Sequence, residues 1–235
     1  RDHIDFHSAA DVPSRTGLGG SSSFCVGMVH LMHKLEGKPS TKKDIAKTAI
    51  HIERNLLKES GGVQDQIWAA YGGLNTIEID KKGDFKVKPL PVSEKFKRDL
   101  EDSMVLIYTN HQRNQDAIAK SHDNKDKKKI LNLSRKAYGY FLKEDVKSIG
   151  RLLYDAWKEK RKISPLISNP MIDKIVRNVM KMGAHGVKLL GSGGCGFLLV
   201  MCDANVKKKI LKEYKGDVLD FKFENKGTSM VYPTE

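Results

Sequence analysis

The sequence predicts an α+β protein, in which helices and antiparallel strands are interleaved without strict βαβ alternation. Three observations predict this fold class. Apolar residues recur at helical spacing in the segment 145–162, where they form one stripe. Two apolar stretches flank the turn residues Asp80–Asp84, which is typical of a hairpin. The continuous apolar run Met104–Ile107 indicates a buried strand.

The first half of the chain alternates short elements with glycine breaks. Thr41 followed by Asp44 resembles a capping box, which marks the start of a helix. Gly61 and Gly62 interrupt that helix. The predicted elements are a strand at 2–8, a loop at 11–20, a helix at 21–35, a helix from 41 to about 59, a short helical piece ending at Gly72, and a hairpin at 74–90.

The second half contains longer helices. The stripe on the second of them consists of Val146, Ile149, Leu152, Leu153, Ala156 and Trp157. Asn169 and Pro170 open a further helix, because proline is well tolerated at the first helical position. The predicted elements are a strand at 103–109, helices at 126–143 and 145–162, the helix that begins at 169–170, a strand at 197–202, a helix at 205–214, and strands at 217–223 and 229–232.

The net charge of +13 raises the question of a nucleic-acid partner. The lysine clusters are modest, however, and aromatic residues make up only 7% of the chain. The clusters are Lys125 with Lys127–Lys129, and Lys207–Lys209. We therefore favour a lysine-rich surface over a nucleic-acid-binding one. No apolar run approaches the ~20 residues of a membrane helix, so no membrane span is expected.

The cysteines and histidines do not predict a metal site. Cys25, Cys195 and Cys202 show no CxxC spacing, and reduced thiols of a cytoplasmic protein explain them most simply. The histidines include no HExxH motif. His51 and Glu53 spell HxE, but the PCxxC that a zinc deaminase requires is absent.

The first candidate for chemistry is the loop 13–23, with the sequence Pro-Ser-Arg-Thr-Gly-Leu-Gly-Gly-Ser-Ser-Ser, which enters a predicted helix. Glycines let backbone N–H groups approach a phosphate, and the helix N-terminus adds a positive end. The serine hydroxyls can cap the helix, bind phosphate oxygens or ligate magnesium. An ordinary capped loop has the same composition, and no GKS or GKT closes this one as in a Walker A motif.

Two acidic residues form the second candidate. Glu53 falls on the apolar face of the helix predicted at 41–59, with Ala46, Ala49, Ile50 and Leu57. A carboxylate there is costly unless it binds a metal cation or pairs with a buried Arg or Lys. Asp65 follows the glycine break, where it can accept a hydroxyl proton or orient the hydroxyl, or merely cap a helix.

The third candidate is the segment 188–200, in which four glycines occur within the six positions 191–196 and a buried strand follows. Glycines cost backbone entropy on folding, so such a density indicates a close approach of the backbone. The approaching group is either another loop or a ligand phosphate.

Together these segments resemble the GHMP kinase superfamily, which includes galactokinase, homoserine kinase and mevalonate kinase. Its second signature, Pro-x-x-x-Gly-Leu-Gly-Ser-Ser-Ala, is similar to 13–22, with Gly20 in place of the first serine and Ser22 in place of the alanine. Its third, Gly-x-Gly-Gly-Gly, is similar to 191–196, with Cys195 inserted. The magnesium-binding Glu and the catalytic Asp of the family fall on Glu53 and Asp65.

The resemblance implies a two-domain GHMP kinase fold. An N-terminal ATP-binding domain of ribosomal-protein-S5-like topology would occupy 1–100, and a ferredoxin-like C-terminal domain 101–235. Family members carry a first motif and much of the sugar-binding surface ahead of the matched region. The N-terminal domain is therefore expected to be incomplete in these residues.

The resemblance also implies a site for ATP and Mg²⁺. Asp65 would act as catalytic base or orienter, and Ser21 with Glu53 would hold the metal. Arg113 and Lys188 are candidates for a substrate phosphate, because anionic substrates require fixed cations. The residues expected to bind ATP are Thr16, Gly17, Leu18, Gly19, Gly20, Ser21, Ser22, Ser23, Gly191, Gly193 and Gly194.

Within the superfamily, the chain is most similar to the D-glycero-D-manno-heptose 7-phosphate kinases and fucokinases. The segments that indicate this are Thr16–Phe24, Ile50–Arg54, Gly61–Gln66, Tyr71–Asn75, Ile167–Pro170 and Lys188–Gly191. The implied reaction is phosphorylation of a sugar at its anomeric hydroxyl. A kinase of another small alcohol, a regulatory relative without catalysis, and a nucleic-acid-binding protein on an S5-like scaffold stay open, as does a homodimer.

Overall fold

The computed structural model describes residues 4–14, 16–110 and 127–231. The helices are α1 Gly20–Leu35, α2 Lys42–His51, α3 Gln64–Tyr71, α4 Glu94–Asp102, α5 Lys127–Leu142, α6 Val146–Arg161, α7 Pro170–Lys181 and α8 Ala204–Glu213. The strands are β1 Asn75–Ile79, β2 Phe85–Pro89, β3 Met104–Tyr108, β4 Gly186–Leu189, β5 Phe197–Met201 and β6 Val218–Leu219. A π-helical turn, Ile52–Leu56, follows α2, and a short 3₁₀ turn, Pro165–Ile167, precedes α7.

In the first half, helices α1, α2 and α3 pack together beside the hairpin β1–β2. Val26, Ile45 and Ile67 meet in their core, and Phe85 of β2 is buried against it. The capping box at the start of α2 is confirmed, since Thr41 Oγ1 accepts from the Asp44 amide and the Asp44 side chain accepts from the Thr41 amide. These short elements are stable because they bury one face against each other.

The second half is built on a four-stranded sheet with the order β4-β5-β3-β6, in which all neighbours are antiparallel. Strand β5 is inserted between β3 and β4, which is the split βαβ arrangement of ferredoxin-like folds. Trp157 of α6 and Val176 of α7 pack against the sheet residues Ile107 and Leu198. The predicted apolar stripe of α6 is therefore the face that covers the sheet.

The end of the described chain returns to the first half. The amide of Gly73 donates to the carbonyl of Glu224 at 2.7 Å, and the amide of Thr228 donates to the carbonyl of Ala69 at 2.9 Å. His30 Nδ1 lies 2.9 Å from Thr228 Oγ1. This tail connects the C-terminal half to α1 and α3 by polar contacts.

Several predicted strands are wrong or shorter than expected. Residues 4–10 form no regular structure and are exposed. No neighbouring strand pairs with them in the described chain, so their backbone groups lack the partners that a strand requires. The strand predicted at 217–223 is reduced to Val218–Leu219, and 229–231 are irregular.

Two elements, α4 and β4, were not predicted. Helix α4 is mostly charged, and the apolar face that it buries consists of only Phe96 and Leu100, four positions apart. Strand β4 is four residues long and ends directly before the second glycine loop. The helix predicted to reach about residue 59 ends instead at His51, where the wider π-helical turn takes over.

Candidate functional site

The first glycine loop is attached to the C-terminal sheet and delivers the chain to α1. Thr16 is buried, its hydroxyl donates to the Pro13 carbonyl at 3.0 Å, and its carbonyl accepts from the amide of Phe197 at 3.2 Å. Gly19, at the N-cap position of α1, has the left-handed φ of 72°, which glycine adopts at least cost. Among the described residues no side chain caps the N-terminus of α1, and no acidic residue lies in the first turn of this helix.

These features make the start of α1 suitable for an anion. Its first amides point out of the helix without a side-chain acceptor, and the helix dipole favours negative charge there. Gly20 is the first helical residue and stands where the family signature has a serine. A Cβ added at Gly20 would meet nothing within 4 Å, so the space at this end of the helix is open. The serines of the first turn do not cap the helix.

Ser21 and Ser22 instead contact Glu53. Ser21 Oγ donates to Glu53 Oε1 at 3.1 Å, and Ser22 Oγ donates to Oε2 at 2.9 Å. Gln66 of α3 donates its side-chain amide to the same Oε2. The carboxylate of Glu53 is only 1% exposed and thus lies between the N-termini of α1 and α3.

The π-helical turn explains why Leu57 leaves the buried face on which Glu53 lies. In a π-helical turn the backbone bond spans five residues, and here the amide of Leu57 donates to the carbonyl of Ile52 at 2.9 Å. The extra residue in the turn rotates the side chains that follow it relative to their positions in a continuous α-helix. Glu53 therefore stays on the buried face with Ala49, whereas Leu57, predicted on that face, is 62% exposed.

The charge of Glu53 has only neutral hydrogen-bond donors around it. In the part of the chain that the structure describes, no lysine, arginine or histidine forms an ion pair with this carboxylate. A buried carboxylate without a compensating charge is costly. The buried Arg or Lys partner that sequence left open is therefore not among the described residues, and a bound cation is the alternative.

The donor set fits Mg²⁺. This ion prefers oxygen ligands and usually combines one or two carboxylates with phosphate oxygens and water. The hydroxyl of Ser21 and the carboxylate of Glu53 provide oxygen ligands and contact each other at the N-terminal end of α1. Among the described residues no group of three His, Cys, Asp or Glu side chains converges, so protein ligands alone would not complete a metal site.

Asp65 lies beside the first glycine loop, in the first turn of α3. A methyl group placed on Gly19 would be 3.6 Å from Cβ and Cγ of Asp65. Asp65 is an exposed residue, but the protein around its carboxyl group partly desolvates it, and this desolvation raises the pKa of Asp65. The nearby Arg54 guanidinium partly offsets the rise in pKa, and the negative charge of Glu53 adds to it.

Arg54 and Gln66 are contact residues whose roles the sequence did not indicate. Arg54 Nη1 donates to the carbonyl of Glu59 at 2.9 Å, and Nη2 donates to the carbonyl of Gly62. The guanidinium thereby holds the loop that leads into α3 and Asp65. Both residues stood in the segments noted for their likeness to sugar kinases, but only the fold shows which atoms they contact.

The second glycine loop contacts protein backbone at all three of its predicted ATP-binding positions. A methyl group on Gly191 would lie 2.6 Å from the Cα of Gly17, and one on Gly193 would lie 3.1 Å from Ile167. The amide of Gly194 donates to the Ile167 carbonyl at 2.9 Å. The glycines thus allow the two loops to touch, which is the first of the two explanations left open by the sequence.

Of the two residues predicted to bind a substrate phosphate, the structure describes one. Lys188 lies in β4, opposite Leu199, and is half-buried. Burial lowers the pKa of Lys188. Arg113 lies outside the described residues.

Of the lysine clusters, Lys207 pairs with Asp220 at 2.9 Å, whereas Lys125 lies outside the described residues. This ion pair reduces the positive charge that the Lys207–Lys209 cluster offers to a partner. As for membranes, none of the helices in the described chain has the length and apolar character required to cross one.

The chain matches two family descriptions, each over one of its halves. Residues 2–73 match the GHMP kinases N terminal domain, and residues 137–216 match the GHMP kinases C terminal domain. Both the first glycine loop with Glu53 and Asp65 and the second glycine loop lie within these matches.

Individual proteins that are similar to this chain are also kinases. A D-glycero-alpha-D-manno-heptose 7-phosphate kinase from Campylobacter jejuni is 32% identical over an alignment of 235 positions, which covers 95% of this chain and 69% of the relative. A mevalonate kinase from Methanocaldococcus jannaschii is 27% identical over 91% of this chain and 66% of its own. The crystal structure of a D-glycero-D-manno-heptose 1-phosphate kinase from Bacteroides thetaiotaomicron superposes with a TM-score of 0.72 at 26% identity, over 95% of this chain and 66% of the other. The chain therefore spans about two thirds of the length of these relatives.

Proposed function

This chain belongs to the GHMP kinase family, and from that premise we propose that the full-length protein transfers the terminal phosphoryl group of ATP to a sugar phosphate. The acceptor that we propose is D-glycero-D-manno-heptose 7-phosphate, at its anomeric hydroxyl. The relative with 32% identity is a kinase of this class, and a heptose kinase structure shares the fold.

One observation supports the proposal most strongly. Ser21, Ser22, Glu53 and Asp65 converge at the uncapped N-terminus of α1, although they are up to 44 positions apart in sequence. Phosphoryl transfer requires such a combination, with donors for the phosphates, an oxygen ligand set for a divalent ion and a carboxylate next to them.

In this proposal the loop and helix bind the nucleotide. The backbone amides from Gly17 to Ser22 would donate to the phosphates of ATP, with the dipole of α1 directed at them. Ser21 and Glu53 would hold Mg²⁺. When bound there, Mg²⁺ would neutralise charge that develops on the transferred phosphoryl group.

Asp65 is proposed to bind the reacting hydroxyl of the sugar. Its carboxylate would accept the hydrogen bond of that hydroxyl, orient the oxygen for attack and take its proton as the new bond forms. The burial that raises the pKa of Asp65 makes the carboxylate a stronger base than an ordinary aspartate. Arg54 would keep Asp65 in place through the loop that the guanidinium holds.

The proposal has three further parts, which concern the domain boundary, the acceptor phosphate and the location of the protein. We propose that the ATP-binding domain ends near residue 100 and that Lys188 binds the phosphate of the acceptor. We also propose a cytoplasmic location, which is supported by three cysteines that form no disulfide, Cys25, Cys195 and Cys202.

The test is a substrate screen with the full-length protein. ADP release is measured with heptose 7-phosphate, fucose, galactose and mevalonate as acceptors, and the product is assigned by ³¹P NMR. We expect the highest kcat/KM with heptose 7-phosphate and a phosphate on the anomeric oxygen. Turnover of mevalonate alone would replace the sugar with another alcohol, and no turnover of any acceptor would refute the kinase proposal.

A variant tests the role of Asp65 within this screen. We expect Asp65→Ala to lower kcat by about 10²–10⁴-fold, the usual contribution of a positioned acid or base, while ATP still binds. Undiminished turnover would remove Asp65 from the mechanism.

A further inference from the structure

Two lysines, Lys160 and Lys188, lie side by side behind the second glycine loop. Lys160 is in the last turn of α6, and Lys188 is in β4, which α6 covers. Lys160 Nζ donates a hydrogen bond to the carbonyl of Gly191. Both side chains are half-buried, and Lys188 precedes Gly191 by three residues, so both lysines approach the second glycine loop at the edge of the protein interior.

Their proximity is reflected in their protonation. Burial lowers the pKa of Lys160 to about 8, and the positive charge of Lys188 contributes to the lowering. Burial also lowers the pKa of Lys188. Two like charges that are partly removed from water repel each other, and a chain usually avoids this arrangement or neutralises it.

No carboxylate neutralises the pair. The other cations at this end of α6 have acidic partners: Lys158 pairs with Asp155, Arg161 with Asp173, and Lys162 with Glu159. Within residues 4–14, 16–110 and 127–231, neither Lys160 nor Lys188 forms an ion pair, and Lys188 has no hydrogen-bond acceptor either.

The pair also lies next to the reaction site. Gly191, whose carbonyl binds Lys160, is packed against Gly17 of the first glycine loop. The side chain of Lys160 is thus connected through a single residue to the loop that leads into α1.

We propose that Lys160 and Lys188 together form a binding site for a phosphate group of the reactants. This inference rests on the proposed kinase function, and it adds Lys160 to the site. A phosphate dianion between the two ammonium groups removes their repulsion and accepts charge-assisted hydrogen bonds from both. Two sources of this chemistry exist in the reaction, the phosphate ester of the acceptor and the phosphates of ATP.

The kinetic test compares acceptors with and without the phosphate ester. For full-length wild type, Lys160→Gln and Lys188→Gln, kcat/KM is measured with heptose 7-phosphate and with unphosphorylated heptose, and KM is measured for ATP. Loss of one charged hydrogen bond corresponds to about 10–100-fold in kcat/KM. If the acceptor phosphate binds here, that loss is confined to heptose 7-phosphate. If ATP binds here, KM for ATP rises and both acceptors are affected equally.

The matched control is Lys158→Gln, on the same helix and already paired with Asp155 at the surface. It should change none of these constants. Lys160→Arg keeps the charge and the hydrogen bond to the loop, so it separates loss of charge from damage to the fold. If Lys160→Gln and Lys188→Gln behave like the control, or lower only kcat for both acceptors, the phosphate site is refuted.

A binding measurement separates this inference from the kinase proposal. In protein labelled with ¹³C-lysine, the pKa of Lys160 is followed by NMR while inorganic phosphate is added. A bound anion favours the charged form, so the pKa of Lys160 should rise from about 8. A rise in a protein that turns over no acceptor would retain the anion site and reject the kinase function. An unchanged pKa with active enzyme would reject the site alone.

Discussion

The contact between the two glycine loops can be tested by adding one methyl group. In Gly191→Ala the new Cβ would lie 2.6 Å from the Cα of Gly17, with further contacts at 3.4 Å to its carbonyl oxygen. Two carbon atoms make favourable contact at about 3.5 Å or more. The loops must therefore separate by roughly 1 Å, and Gly17 belongs to the segment that we propose to bind the phosphates of ATP.

The backbone of Gly191 adds a second cost, which a control can isolate. Gly191 has φ +65° and Gly37 has φ +66°, but a methyl group on Gly37 would meet only open space. Placing alanine in this left-handed conformation costs about 1–2 kcal/mol at either position. Overpacking typically adds about 1–3 kcal/mol, and this term should appear at Gly191 alone.

Both variants are measured for the free energy of unfolding in urea and for ADP release. Gly37→Ala should lose about 1–2 kcal/mol and keep the wild-type kcat/KM. Gly191→Ala should lose about 2–5 kcal/mol, and its kcat/KM should fall by on the order of 10²-fold, as for a 1 Å misplacement in an active site. If both variants lose the same free energy and Gly191→Ala keeps full activity, the loop contact does not position the site.

Three further predictions concern the acidic residues and their neighbours. Glu53→Gln should have a free energy of unfolding no lower than that of the wild type, because the neutral amide can still accept hydrogen bonds from Ser22 and Gln66. The Mg²⁺ concentration for half-maximal turnover should rise at least ~10-fold in this variant. An unchanged Mg²⁺ titration would argue against the role of Glu53 as a ligand. Because the pKa of Asp65 is raised, its ionised form destabilises the fold, so Asp65→Asn should be more stable than wild type at neutral pH, and this difference should vanish in urea titrations below the ordinary pKa of aspartate. In Arg54→Gln the offsetting charge is lost, so the acidic limb of the kcat/KM–pH profile should move to higher pH; a fall in kcat without that movement would leave Arg54 a purely structural role.

Much of the fold could be predicted from local signals. Some signals depend only on residues a few positions apart, so the sequence alone predicts them. They are the capping box at Thr41, the proline at the start of α7 and the apolar stripe of α6. The strand predicted at 2–8 had local alternation but lacks a pairing partner among the described residues, and pairing is not a local property. Helix α4 was missed because its charged sequence has only two buried anchors.

The sequence by itself determined which residue types are available for chemistry: two glycine loops, a run of serines and two acidic residues in a GHMP kinase order. Only the tertiary structure decided how they meet. Glu53 meets Ser21 and Ser22 of another helix, a π-helical turn directs Leu57 to solvent, Gly191 closes on Gly17, and α6 brings Lys160 to the carbonyl of Gly191. The physical reason is that spacing along a chain specifies the facing of residues within one element, whereas contacts between elements depend on packing that distant residues determine together.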